Sequence, residues 1–166
     1  YSISDLSASV DALGAFLEAA ARNDFIMSAA TKGSDTTASS STSPDDWGLV
    51  GGQAYSLLSM GSHPDTKRPI VRLRNPWSKR EWDGECSDTD PMWKDPEKRR
   101  SVADSMGIKP DELIPSEDGC FVMPLKEFCA HFRNISICVP HVPCSKKAPW
   151  HELRRRCSFS LHEKRQ

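Results

Sequence analysis

Two polar side chains lie on neighbouring predicted strands, where they could act on one substrate. A short apolar strand carries Gln53, and a second, alternating strand ends in Asn75, which is followed by Pro76 and Trp77. An Asn side-chain oxygen accepts a hydrogen bond without adding charge. A Gln amide has no pKa near neutrality, so it cannot take up a proton during catalysis. By itself, Asn-Pro-Trp is typical of a turn after a strand.

In combination, these segments resemble the His and Asn halves of a papain-like cysteine protease site, most closely that of the calpains. Residues 48–56 read Gly-Leu-Val-Gly-Gly-Gln-Ala-Tyr-Ser where the calpain motif reads Gly-His-Ala-Tyr-Ser, and residues 72–77 read Arg-Leu-Arg-Asn-Pro-Trp. The resemblance covers roughly residues 5–140 and extends to further residues in the family's order: Glu81, Trp82, Gly84, Ser87, Asp88, Glu117, Asp118, Gly119, Phe121 and Met123.

The resemblance implies a role for each residue of the first pair. In such proteases a thiolate attacks the carbonyl carbon, an imidazole handles the proton, and an Asn orients the imidazole. Gln53 then occupies the position of the general-base His, Asn75 is the orienting amide, and Trp77 shields their contact from water. The nucleophilic Cys of the family lies on a preceding subdomain, and no Cys of this chain stands in a similar motif. We therefore expect a fragment of a calcium-dependent cysteine endopeptidase that is inactive as it stands.

The same resemblance implies a calcium site. Glu81, Asp88 and Asp118 fall on side-chain ligand positions of the family, and Ser116 falls on a position that offers its backbone carbonyl. Oxygen donors of this kind suit a hard cation. Cys120 replaces a further acidic ligand and is a poor donor for calcium. The expected site is weak.

Two alternatives stay open beside the inactive protease. One is a protein-binding or scaffolding module that keeps the protease fold and a regulatory calcium site, because binding and proton transfer use different groups. The other is a real protease in which Gln53 was introduced to trap substrate. The expected partners are a protein or peptide and the preceding protease subdomain.

Composition excludes several other classes of protein. The chain has 166 residues and a formal net charge of −1, so no basic field predicts nucleic-acid binding. No run approaches the ~20 apolar residues of a membrane span, and no signal-peptide pattern is present. Six Cys without a Cys-x-x-Cys motif indicate reduced thiols in a cytoplasmic protein rather than zinc or disulfides. The chain reads as a fragment of a longer protein.

Hydrophobic patterning predicts an α+β fold. Strands that alternate between apolar and polar residues favour twisted antiparallel sheets or a small barrel with one wet face, as in the right-hand lobe of a papain-like fold. We assign residues 1–142 to this subdomain, with a flexible loop at 31–46, and residues 143–166 to a tail or the truncated start of a β-sandwich domain. The predicted helices are 2–21 (Ser2 and Asp5 forming a capping box), 96–106 (capped by Asp95) and 124–132, and the predicted strands are 25–28, 50–58, 69–74, 120–123 and 134–139.

Overall fold

The computed structural model describes residues 10–33, 47–77 and 80–139, which contain three α-helices, five strands and two short 3₁₀ helices. The elements in chain order are α1 Val10–Arg22, β1 Ile26–Thr31, β2 Ala54–Ser62, β3 Pro69–Arg74, a 3₁₀ helix Pro91–Lys94, α2 Pro96–Met106, a 3₁₀ helix Pro110–Leu113, β4 Cys120–Pro124, α3 Leu125–His131 and β5 Phe132–Cys138. The predicted capping box, most of the predicted loop 31–46 and the tail 143–166 lie outside the described residues.

The five strands form one sheet in the order β4-β3-β2-β1-β5, and all neighbours are antiparallel. This confirms the predicted α+β class. Strand β2 begins later than predicted because Gly51 and Gly52 form a turn ahead of it, and it continues to Ser62. The predicted polar loop also begins later, since Thr31 belongs to β1.

Helices α1 and α3 cover one face of the sheet. Leu13 and Leu17 on α1 are buried, and they belong to the same core as Leu125 and Phe128 on α3. Gly14 lets the two helices approach, because a Cβ at this position would lie 3.1 Å from the Leu125 side chain. Burial of each Leu side chain contributes roughly 1.5–3 kcal/mol to folding.

The opposite face is also covered, so the prediction of one wet face is wrong for β3 and β4. Ile70 and Val122 point away from the first core into a second one, which α2 and the 3₁₀ helix Pro91–Lys94 complete with Trp93 and Met106. Strand alternation did not indicate this second core, because its buried Trp93 lies in the polar segment between β3 and α2.

Helix α2 is bounded by the signals that its sequence carries. The Asp95 side chain accepts hydrogen bonds from the backbone N–H groups of Glu97 and Lys98, and Pro96 occupies the first turn. Gly107 ends the helix in the left-handed region at φ 69°. Both the predicted bounds and the predicted cap are confirmed. Val102 and Met106 of this helix are buried in the second core.

Candidate functional site

Gln53 and Asn75 lie at the same end of adjacent strands. Ser56 on β2 pairs with Arg74 on β3; Asn75 follows Arg74, and Gln53 precedes Ser56 by three residues. Because the strands are antiparallel, the start of β2 and the end of β3 meet at one edge of the sheet. The fold thus brings the two residues to one end of the sheet, as the motif spacing implies.

Asn75 is fully buried, and its side chain closes the turn after β3. Its Nδ2 donates to the carbonyl of Arg80 at 3.0 Å, and its Oδ1 accepts from the backbone N–H of Trp77 at 3.0 Å. The backbone N–H of Asn75 donates to the carbonyl of Gly119 at 2.8 Å. These three hydrogen bonds fix the orientation of the Asn75 side chain and main chain.

Gln53 is held through its main chain by Thr31. The backbone N–H of Gln53 donates to Thr31 Oγ1 at 3.0 Å, the backbone N–H of Thr31 donates to the Gln53 carbonyl at 2.9 Å, and Thr31 Oγ1 donates to the Val50 carbonyl at 2.7 Å. Thr31 is only 2% exposed. Sequence reasoning missed this residue because it placed Thr31 in the low-complexity loop; the apolar alternation of residues 26–30 was the available signal.

The Gln53 side chain presents a buried acceptor. Its Oε1 is inaccessible to solvent and has no hydrogen-bond partner among the residues that the structure describes. A buried acceptor without a donor costs about 1–3 kcal/mol. The position therefore favours a donor that comes from outside residues 10–33, 47–77 and 80–139.

Trp77 lies beside the pair but extends outward. Its side chain is 70% exposed, in contrast to the buried Asn75 that precedes it by two residues. The hydrogen bond from its backbone N–H to Asn75 Oδ1 fixes the start of the turn, not the position of the indole ring. Its role as a shield over position 53 stays a prediction.

The predicted calcium ligands form an acidic rim, defined by Glu81, Asp88, Ser116 and Asp118, on two adjacent segments. Ser116 donates its backbone N–H to Asp88 Oδ2 at 3.0 Å, and the Ser116 carbonyl accepts from the backbone N–H of Asp118 at 2.8 Å. Glu81 Oε1 accepts from the backbone N–H of Gly119 at 2.7 Å. Gly119 also bonds to Asn75, so the acidic rim and the Asn75 turn share a residue.

The carboxylates of the rim interact electrostatically. Burial raises the pKa of Glu81, and the negative charges of Asp88 and Asp118 raise it further. Burial and the charge of Asp118 raise the pKa of Asp88. Burial also acts to raise the pKa of Asp118, but hydrogen bonds from Cys120 and Ser116 outweigh it and hold that pKa below its ordinary value. The rim is a place where positive charge would be stabilising.

Cys120 lies at the position where the resemblance implies a further acidic ligand. Its backbone N–H donates to Asp118 Oδ1 at 2.7 Å. Burial, a hydrogen bond to Asp118 and the charge of that carboxylate raise the pKa of the Cys120 thiol. Cys120 is therefore in place at the rim but protonated at neutral pH, and a thiol is a poor donor for calcium.

A second group of metal-type side chains occurs at His63, Glu85 and Cys86, whose donor atoms lie within 4.8 Å of one another in the described part of the chain. His63 Nδ1 already accepts two backbone N–H groups of its own turn, and Glu85 accepts from the guanidinium of Arg68. Burial raises the pKa of the Cys86 thiol to about 12. In this structure the Nδ1 lone pair of His63 and one oxygen of Glu85 are engaged within the protein, so a metal would have to displace these contacts and the proton of the Cys86 thiol.

Comparison with known proteins identifies the family. Residues 2–139 match the sequence model described as calpain family cysteine protease. The chain belongs to the calpain family. It is 38% identical over 116 residues to calpain-12 of Mus musculus, 34% identical over 111 residues to calpain-5 of Caenorhabditis elegans, and 36% identical over 116 residues to the calpain-type cysteine protease DEK1 of Arabidopsis thaliana.

These matches cover most of this calpain-family chain but little of the relatives. They span 64%, 56% and 69% of the chain, and 14%, 16% and 5% of the three relatives. The chain thus spans less than a fifth of the length of each of these relatives. In the described residues, no helix has both the length and the apolar character needed to cross a bilayer. The cytoplasmic location and the reduced state of the thiols stay predictions.

Proposed function

We propose that this chain is the His/Asn half of a calpain-type protease core in which Gln53 stands at the general-base position, so that it does not support peptide hydrolysis. The observation that supports the proposal is that Gln53 and the buried Asn75 lie at the same end of β2 and β3. An amide at this position cannot take a proton from a thiol or return it to a leaving amine.

The surroundings of position 53 support this assignment. Thr31 fixes the main chain at position 53 from both its N–H and its carbonyl, and Asn75 is fixed by its contacts to Arg80 and Trp77. Under this proposal, an imidazole at position 53 would lie at the same end of the sheet as a buried amide whose orientation is already fixed. A catalytic imidazole needs an oriented hydrogen-bond partner of this kind, because that partner keeps it in one tautomer during proton transfer.

The acidic rim fits a hard cation in the chemistry of its donors. Glu81, Asp88 and Asp118 supply carboxylate oxygens, and burial, together with repulsion from neighbouring carboxylates, raises the pKa of Glu81 and Asp88. The residues that would hold calcium are these three carboxylates together with the backbone carbonyl of Ser116. Bound calcium supplies positive charge that offsets the repulsion. Because Gly119 contacts both Glu81 and Asn75, order at the rim would stabilise the Asn75 turn.

A second candidate function is a protein-binding or scaffolding module. The buried Oε1 of Gln53, without a donor among the described residues, favours it. If the Gln53 side chain turns outward, a backbone N–H from a bound peptide or from the preceding protease subdomain would satisfy that acceptor, which is otherwise closed to solvent. Recognition of this kind needs no proton transfer, so it would survive the absence of a general base.

The test compares the complete polypeptide that carries this chain with its Gln53→His variant, using a fluorogenic peptide in the presence of calcium. We expect no hydrolysis by the parent and a gain of at least about 100-fold in the variant, the lower end of what a general base contributes. Ala54→His is the matched control, because it places an imidazole on the neighbouring, exposed position.

The outcomes separate the two candidate functions. Hydrolysis by the parent at the rate of Gln53→His would contradict the proposal that Gln53 silences the site. A gain that appears only in Gln53→His would support it and would also count against a purely scaffolding origin. No gain in either variant would favour the binding module.

A further inference from the structure

A continuous groove runs between α1 and α2 along the end of β2. It consists of two adjoining cavities of about 520 and 440 Å³, which share Glu18 and Arg22 on α1, Met60 on β2, and Asp104 and Ser105 on α2. A groove of this size accommodates several residues of an extended peptide. It lies away from Gln53 and from the acidic rim, so the proposed function does not use it.

The floor of the groove is an open strand edge. The pairing of β1 with β2 ends at Leu57, so the later residues of β2, up to Ser62, have no strand partner on that side within the described residues. The Ser62 N–H donates instead to Ser105 Oγ at 3.0 Å, and Leu58 is 41% exposed. Open edges of this kind pair with extended segments through their main-chain groups.

The charge of the groove favours a basic occupant. Asp11, Asp24 and Asp104 line it and make no ion pair within the described residues, whereas Glu18 is paired with Arg22. Lys67 is the other basic residue of the lining. Three carboxylates against one unpaired ammonium group give the groove a negative potential.

The chain itself contains a strongly basic segment. Residues 143–166 hold seven Lys and Arg and two acidic residues, a net charge of +5, whereas the whole chain has −1 and residues 1–142 therefore have −6. The charge of the tail is complementary to that of the rest of the chain. This asymmetry is the first reason to expect an intramolecular contact.

The point at which the chain leaves the sheet is the second reason. Cys138 near the end of β5 pairs with Ile26, which follows the groove residue Asp24 by two positions. The eight residues from Cys138 to Lys146 span up to about 27 Å when extended. The 11-residue helix α2, which forms one wall of the groove, is only about 16 Å long. The basic residues are thus within reach of the whole groove.

We infer that residues 143–166 dock into this groove of their own chain, with the Lys pair 146–147 and the Arg triplet 154–156 against Asp11, Asp24 and Asp104. The docked segment covers the open edge of β2. Because the contact is largely electrostatic and exposed, high salt weakens it. Any partner that binds the same basic residues competes with the groove.

Zero-length carbodiimide cross-linking of the full 166-residue chain, read by mass spectrometry, tests this contact. We expect intramolecular cross-links from Lys146 or Lys147 to Asp24 or Asp104, with yields at least about fivefold above those to Asp111, an exposed carboxylate outside the groove. Raising the salt from about 0.05 M to about 0.5 M removes most of that preference, since the Debye length then falls to a few Å.

A charge-neutralising variant gives the matched control. Asp24→Asn combined with Asp104→Asn lowers cross-linking to Asp11 at least about threefold, because the groove loses most of its potential. Asp111→Asn leaves the cross-linking yield at Asp11 unchanged.

A second variant tests the tail side of the contact. In Arg154→Ser/Arg155→Ser/Arg156→Ser, hydrogen exchange of the amides between Leu58 and Ser62 becomes faster. Equal yields at Asp111 and Asp104, cross-links only within dimers, or unchanged exchange in the triple variant would each overturn the inference.

Discussion

Thr31 and Gln53 hold each other through hydrogen bonds that run in both directions. The Thr31 N–H donates to the Gln53 carbonyl, and the Gln53 N–H donates to the Thr31 hydroxyl at 3.0 Å. This pair fastens the end of β1 to the turn that precedes β2. The geometry of position 53 therefore depends on a residue 22 positions earlier in the chain.

Thr31→Val is predicted to lower the free energy of unfolding by about 1–3 kcal/mol. Valine keeps the shape of the side chain but leaves the Gln53 N–H without its acceptor in a buried position. Urea unfolding followed by circular dichroism measures the change. Thr31→Ser, which retains the hydroxyl, is the control and loses much less. A loss in Thr31→Ser as large as that in Thr31→Val would mean that the Thr31 methyl group contributes as much as the hydroxyl, and would contradict the prediction.

Glu81→Gln is predicted to raise stability near neutral pH in the absence of calcium. The folded-state pKa of Glu81 lies above its ordinary value of 4.5, because burial and the charges of Asp88 and Asp118 disfavour the carboxylate. The folded state therefore binds the proton more tightly than the unfolded state. The favourable contribution of protonated Glu81 is complete below pH 4.5 and is lost as pH rises through the folded-state pKa.

The measurement is the melting temperature from about pH 4 to about pH 8 with a chelator present. Gln retains an oxygen for the Gly119 N–H but cannot ionise, so the variant gains relative to the parent above the folded-state pKa and not below pH 4.5. Asp111→Asn changes an exposed carboxylate outside the rim, so it should leave the melting temperature unchanged across this pH range. A variant that is less stable than the parent at neutral pH would contradict the role of repulsion.

Cys120→Asp is predicted to strengthen calcium binding. The substitution adds a carboxylate next to Asp118, where burial and the neighbouring charge now keep the thiol protonated. Calcium affinity rises with the number of charged ligands, so we expect a weak parent, with Kd on the order of 10⁻⁴–10⁻³ M, and a variant that binds about tenfold tighter. Isothermal titration calorimetry measures both values.

Cys120→Ser is the control for that titration, because it replaces the thiol by a similarly small uncharged group. It should bind calcium as weakly as the parent. A parent chain that shows neither heat nor a thermal shift at millimolar calcium would argue against the site. A gain in Cys120→Ser equal to that in Cys120→Asp would mean that charge is not the deciding factor.

Gly48→Ala is predicted to destabilise the chain by about 3 kcal/mol or more. Gly48 has φ 77°, and a Cβ there would lie 1.8 Å from the carbonyl oxygen of Glu81, so both backbone strain and a backbone clash oppose it. Gly107→Ala isolates the first of these effects. It has φ 69° and no atom within 4 Å of the added Cβ, so it should cost only about 1 kcal/mol. Similar losses for the two variants in urea unfolding would contradict the close approach of Gly48 to Glu81.

Local sequence signals predicted much of the fold. Asp95 followed by Pro96 marked the start of α2, and the Asn-Pro-Trp segment marked the end of β3. Such features depend on residues close in the chain, and their chemistry is the same wherever the segment lies. The motif order also brought Gln53 and Asn75 to one end of the sheet, because the antiparallel pairing of β2 and β3 follows from their proximity in sequence.

Other features could not be predicted because they depend on distant contacts. The hydrogen bonds between Thr31 and Gln53 join segments that are separated in sequence, and so does the close approach of Gly48 to Glu81. The second core was missed for the same reason. Trp93 lies in a segment rich in Asp, and only the tertiary structure shows that the segment folds back over Ile70.

Each of the two cores contains a buried tryptophan whose fluorescence reports on that core. Trp82 belongs to the core under α1 and α3, whereas Trp93 belongs to the core under α2, and each side chain is 4% exposed. Indole emission shifts to longer wavelength when the ring becomes hydrated. Two variants, each keeping Trp82 or Trp93 as its sole tryptophan with the other four replaced by Phe, would let fluorescence follow each layer separately and show whether the two faces of the sheet melt together or in sequence.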